Sequence, residues 1–121
     1  MYKILVVDDA GFMRKMVQSH LLKAGYNTFI EAEDGQRAVT LYQENNPDLV
    51  IMDITMPNMD GIEALRRIKQ INPNAKVVMC SAMGQESMVM EAIKLGALDF
   101  IVKPFKPERI IQTVGKILPI Q

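Results

Sequence analysis

A single cysteine in 121 residues excludes an internal disulfide framework and is consistent with a reducing compartment. Neither charge is in excess: 14 Lys and Arg balance 14 Asp and Glu, so no global field draws the chain to nucleic acid or to an anionic membrane. No apolar run approaches the roughly 20 residues that span a bilayer. The start, Met-Tyr-Lys-Ile-Leu-Val-Val-Asp-Asp, has no basic region, long apolar stretch and small-residue cleavage site of a secretory signal. A cytoplasmic location is therefore expected. Histidine occurs once, at His20 on a helical stripe, where a solvated or core-edge role outweighs that of a ligand or phosphodonor. Linkers, repeats and low-complexity segments are missing too. The length suits one domain over 1–121 with a sizeable core, expected to be a monomer.

What is present is a set of short apolar runs that each stop at a reactive side chain. Lys3–Val7 ends at Asp8-Asp9, Asp48–Met52 at Asp53, Lys76–Cys80 at Ser81 and Phe100–Val102 at Lys103. Their brevity and β-branched content read as strands buried on both faces. Thr28–Glu33 alternates and reads as a strand nearer an edge. Between the runs the spacing becomes helical. Met13, Met16, Val17, His20, Leu21 and Ala24 form a stripe that closes at Gly25. Ala38, Leu41 and Tyr42 form a second, before Asn45-Asn-Pro47. Ile62, Leu65 and Ile68 form a third, before Asn72-Pro73. Met88, Ala92 and Leu95 form a fourth, before Gly96. Ile110, Val114, Ile117 and Leu118 form the last, after Pro107.

Five β-α units predict an α/β fold, a doubly wound flavodoxin-like (βα)5 arrangement with a parallel sheet and helices on both faces. Five strands suit the order 2-1-3-4-5, which puts strands one and three together at the switch point where ligands bind. Three carboxylates, a hydroxyl and an ammonium then converge at one edge of the sheet.

Three carboxylates in one pocket repel, so either some are protonated or a cation sits among them. A few hard oxygens with water completing the shell are what magnesium uses beside phosphate. The competing reading of each aspartate is a helix cap. Ser81 either caps the helix beginning near Gly84 or Gln85, or offers its hydroxyl to a phosphoryl oxygen on Asp53. Lys103 is either a surface lysine before a turn proline or a mobile point charge for a carboxylate or phosphoryl oxygen. Pro104 is a candidate cis peptide. Cys80, inside a strand, reads as a buried small hydrophobe rather than a reactive thiol. The acidic cluster Glu31, Glu33 and Asp34 is expected to cap the second helix.

In these residues the chain resembles the response-regulator receiver family, over essentially its whole length, and among receivers the stand-alone chemotaxis type. Asp8-Asp9 match the family's acidic pair, and Asp53 in Met52-Asp-Ile-Thr-Met-Pro-Asn-Met-Asp-Gly61 its phosphoacceptor. Ser81-Ala82 match the switch hydroxyl, and Lys103-Pro104-Phe105 the lysine motif. The order 2-1-3-4-5 is the family's own, so the resemblance implies it as much as the residues do. It further implies a two-component phosphoacceptor rather than a turnover enzyme. A histidine kinase would phosphorylate Asp53. Mg2+, with Mn2+ as a substitute, would be held by Asp9, Asp53 and the backbone carbonyl of Thr55, with Asp8 acting through water. Ser81 and Lys103 would move to the new oxygens and Phe100 into the space that Ser81 leaves. The implied output is binding to a flagellar motor switch protein, with a phosphatase as a further partner. Phe100 stands where well-known chemotaxis regulators carry Tyr, and Thr55 and Met83 where a well-studied relative has Asn and Glu.

Val89, Met90 and Ile93 add apolar surface to the fourth helix outside its stripe. Either Met90 or Ile93 reaches a neighbouring helix, or these residues form, with Phe100 and the last helix, a docking groove for a partner's amphipathic helix. Three other readings compete. A haloacid-dehalogenase-type phosphatase needs a second Asp where Thr55 stands. A flavodoxin needs a hydroxyl-rich first loop where Asp8-Asp9 would repel phosphate. A phosphorelay shuttle, or a receiver cut from a longer regulator, shares every motif and differs only in its wiring.

Overall fold

The computed structural model describes residues 1–120 and shows five parallel strands alternating with five helices. The strands are β1 (Ile4–Val7), β2 (Phe29–Ala32), β3 (Leu49–Asp53), β4 (Val77–Ser81) and β5 (Asp99–Val102). The helices are α1 (Gly11–Lys23), α2 (Gly35–Asn45), α3 (Gly61–Ile71), α4 (Glu86–Lys94) and α5 (Pro107–Ile117). The sheet order is β2-β1-β3-β4-β5, as expected, with the alternating strand on one edge. No helix among the described residues is long and apolar enough to cross a membrane.

The strand runs are apolar at consecutive positions because both faces are covered. Leu5, Val7, Val50, Met52, Val77 and Met79 face the layer of α2, α3 and α4. Ile4, Val6, Leu49, Ile51, Val78 and Ile101 face α1 and α5. Such double burial removes each side chain wholly from water, worth about 1.5–3 kcal/mol apiece. Pro107 occupies the first turn of α5, where its missing N–H costs nothing. Gly25 and Gly96 take φ of +103° and +108° just past α1 and α4, the left-handed turn their helix ends require.

Two helical stripes differ from expectation. On α1, Val17 and Leu21 are buried but Met16 faces solvent. On α4, Val89 and Ala92 are the buried pair, and Met88 is exposed. The inward face is rotated by one residue because α4 packs on β4 through Val89. Val89 therefore belongs to the core, and its part in the proposed groove is confined to the floor.

The turn from β3 to α3 positions the third aspartate. Asp60 caps α3, accepting from Glu63 N–H at 2.9 Å, and Gly61 N–H donates back to the Ile54 carbonyl at 2.7 Å. A Cβ at Gly61 would stand 2.1 Å from the Asp53 carbonyl oxygen and 2.9 Å from Ile54 Cα, with only backbone to yield. Gly61→Ala is expected to cost about 2 kcal/mol or more through this overpacking. A urea titration checks it, as a lower midpoint with an unchanged slope.

Candidate functional site

Parallel strands end together, so β1, β3, β4 and β5 deliver Asp8-Asp9, Asp53, Ser81 and Lys103 to one edge. One oxygen from each of Asp8, Asp9 and Asp53 lies within 4.8 Å of the others. The Lys103 ammonium donates to Asp8 Oδ2 at 2.7 Å and to Asp53 Oδ2 at 3.0 Å. Its backbone N–H donates to the Ser81 carbonyl at 2.7 Å, carrying the β4–β5 pairing one residue past the sheet. The Lys103-Pro104 peptide is cis.

The competing cap readings do not survive. The N-cap of α1 is Ala10, which makes no side-chain bond, and that of α3 is Asp60 rather than Asp53. Asp8 Oδ1 does accept from Ala10 N–H at 2.9 Å, a local bond that holds the carboxylate in place and leaves Oδ2 for Lys103. Ser81 closes β4, is buried, and does not cap α4, whose N-cap is Gln85. In the acidic cluster only Asp34 caps, accepting from Arg37 N–H at 2.7 Å. Glu31 instead pairs with Arg14 and Lys15, because β2 points it towards α1. Cys80 is buried and its thiol is pushed up to about 12 by desolvation, so it packs as a hydrophobe. His20 lies half-buried on α1, away from the pocket.

Electrostatics in the pocket are in tension. Burial raises the Asp53 pKa above the usual carboxylate range; Lys103 opposes that rise and Asp8 adds to it. Burial alone would lower Lys103, but its hydrogen bonds to Asp8 and Asp53 outweigh it and hold the ammonium above an ordinary lysine. With all groups ionised, three carboxylates face one ammonium and leave an excess of two negative charges. That donor set, hard oxygens with a net deficit of positive charge, fits a small divalent cation.

Two supports were not singled out from the sequence. Arg14 NH1 donates to the Asp8 carbonyl at 2.6 Å while its Nε donates to Glu31 at 2.8 Å, tying the β1–α1 loop to β2. Gln85 donates from Nε2 to Thr55 Oγ1 at 2.8 Å and accepts from Ala82 N–H at 2.7 Å. Neither side chain carries a local signal of these contacts, which join residues 17 and 30 apart in sequence.

A groove of about 400 Å³ lies beside the pocket, between α4 and β5; α5, expected to share it, supplies no lining residue because the groove opens on the α4 side of β5. Met83, Met90, Ile93 and Val102 are exposed along it, with Phe100 half-buried and Ser81 at its inner end.

Residues 4–115 match the family model described as response regulator receiver domain. The chain is a member of the response-regulator receiver family. It is 56% identical over 117 residues to the chemotaxis protein CheY of Bacillus subtilis, covering 97% of this chain and 98% of that one. It is 55% identical over 115 residues to CheY of Thermotoga maritima, covering 95% and 96%. Among solved structures, the CheX-CheY-BeF3-Mg2+ complex from Borrelia burgdorferi superposes with a TM-score of 0.91 at 38% identity, over 98% of this chain and 90% of that one. Receivers are signalling phosphoacceptors in two-component systems rather than turnover enzymes, and this receiver carries the acidic pocket such chemistry needs.

The charge balance of this receiver's pocket makes two predictions. Asp53→Asn removes a carboxylate whose ionised form burial disfavours, so the metal-free protein is expected to gain stability at neutral pH. Equilibrium unfolding of the two proteins in chelator checks it. Glu31 behaves oppositely. Hydrogen bonds from Lys15 and Arg14 lower it to about 2 from an ordinary 4.5. Its stabilisation is present above the unfolded value and is lost as pH falls from 4.5 towards 2. Glu31→Gln is expected to flatten the stability profile across that window, as read by urea midpoints at stepped pH.

Proposed function

We propose that residues 1–121 act as one receiver domain that accepts a phosphoryl group from a histidine kinase on Asp53 and thereby changes its affinity for a flagellar motor switch protein. The observation that carries the chemistry is the Lys103 ammonium shared between Asp8 and Asp53 at the β1/β3 switch point. The chemotaxis assignment is supported by the similarity to CheY proteins over nearly the full length of both chains.

An Asp53 carboxylate oxygen attacks the phosphorus of a phosphohistidine. The new O–P bond replaces the P–N bond, and the imidazole leaves. Asp9, Asp53 and the Thr55 carbonyl would hold Mg2+, or Mn2+ in its place, with Asp8 acting through water. When bound, the ion supplies charge neutralisation for the oxygens of the transferred group. Lys103, already 3.0 Å from Asp53 Oδ2, turns its ammonium to the new phosphoryl oxygens. The Ser81 hydroxyl moves to the same oxygens, and Phe100 follows into the space it leaves. Phosphorylation takes Asp53 from one negative charge to about two, which is the bias on this two-state element.

The output surface is the groove beside Phe100. Met90 and Ile93, 58% and 41% exposed, flank it and would receive the apolar face of a partner helix. Methionine suits such a surface because its side chain adapts to the ligand. The similarity to CheY proteins supports a cytoplasmic location, with the chain acting as a monomer and a phosphatase as the further partner that resets it.

Incubation with acetyl phosphate and Mg2+ is expected to add one phosphoryl group by intact mass, and Asp53→Asn to add none. A gain that persists in Asp53→Asn removes the assignment. Met90→Asp with Ile93→Asp is expected to keep the mass gain while losing at least tenfold in phosphorylation-dependent binding to the motor switch protein. Transfer of the phosphoryl group to a second histidine protein, with no such binding, would make the chain a relay shuttle instead.

A further inference from the structure

Gln85 stands at the N-cap of α4, a position where a short polar side chain ordinarily bonds the first helical N–H groups. Its carboxamide makes no such bond. Gly84, at a φ of +89°, turns the chain so that the Gln85 side chain runs back towards the sheet. There Oε1 accepts from Ala82 N–H at 2.7 Å and Nε2 donates to Thr55 Oγ1 at 2.8 Å. One half-buried carboxamide thus ties the loop after β4 to the loop after β3, with both its ends occupied.

Each tied point adjoins a residue of the proposed switch. Thr55 is two residues past Asp53, and Ala82 directly follows Ser81. A shift of the Ser81 backbone towards Asp53 carries the next peptide with it. The Ala82 N–H, the first backbone donor beyond β4, is committed to Gln85 and so is withheld from an anion in the pocket. We infer that Gln85 is a positioning residue: its side chain is a clasp that favours the resting arrangement of both loops and opposes the switch. This rests on Asp53 as the phosphoacceptor. An interaction present only in the resting state lowers the apparent affinity for any ligand that needs the other state, and deleting it raises that affinity.

The test uses the full chain with Mg2+ and beryllium fluoride, a mimic of the phosphoryl group, titrated by amide NMR. Gln85→Leu is expected to bind BeF3− about threefold to tenfold more tightly than wild type, as for losing two solvent-exposed hydrogen bonds at the low end of their net strength. Thr55→Val, which removes the far anchor, shifts affinity in the same direction. In the metal-free protein the Ala82 amide exchanges faster in Gln85→Leu than in wild type, a readout independent of the bound state. Unchanged or weaker BeF3− binding by both Gln85→Leu and Thr55→Val, or unchanged Ala82 exchange, overturns the clasp. A wild type that binds no BeF3− overturns the phosphoacceptor reading itself. A wild type that binds alongside indifferent variants removes the clasp alone.

Discussion

The ammonium of Lys103, shared between Asp8 and Asp53, is the interaction on which the pocket depends. Two carboxylates at the ends of adjacent strands β1 and β3 repel each other, and both are largely shielded from water. The lysine offsets that repulsion from β5, the far edge of the sheet, and so closes the site across three strands. One ammonium does not neutralise three carboxylates. The remaining negative charge suits the pocket to a cation, while burial foremost, with Asp8 adding to it, disfavours the Asp53 anion.

The supports around this centre are local and polar, whereas the frame beneath it is apolar. Arg14 pins the Asp8 carbonyl to Glu31, Asp60 and Gly61 set the turn after Asp53, and Gln85 joins the loops after β3 and β4. The frame is a doubly covered sheet whose strands have little freedom to shift, because a slip of one residue would exchange every inward side chain between two packed faces. Rigid strands with adjustable loops are what a switch requires. On the proposed reading, the charge change occurs at a fixed point and Ser81, Lys103 and the groove lined by Phe100 carry the response.

Much of the fold could be read directly. Runs such as Leu49–Asp53 are short, apolar and β-branched, and breakers such as Asn45-Asn-Pro47 and Gly96 separate the units. The four functional strand ends were legible for the same reason: a polar residue stops a buried run where the sheet meets solvent. The face of α4 was not. Met88, Val89 and Ala92 are all acceptable inward residues, and only the packing of α4 on β4 selects Val89 over Met88. The destination of Glu31 was equally hidden, since its acidic neighbours suggested a cap while its strand directs it to Arg14 and Lys15.

The sequence by itself determined the alternation of strands and helices, and which chemistry each strand end carries, because hydrophobic period and punctuation are local properties of the chain. Tertiary structure decided which groups meet. Lys103 lies 95 residues from Asp8 and 50 from Asp53, and Gln85 lies 30 from Thr55. Contacts across such separations depend on strand order and register, and those are settled only when all five units pack around a common sheet.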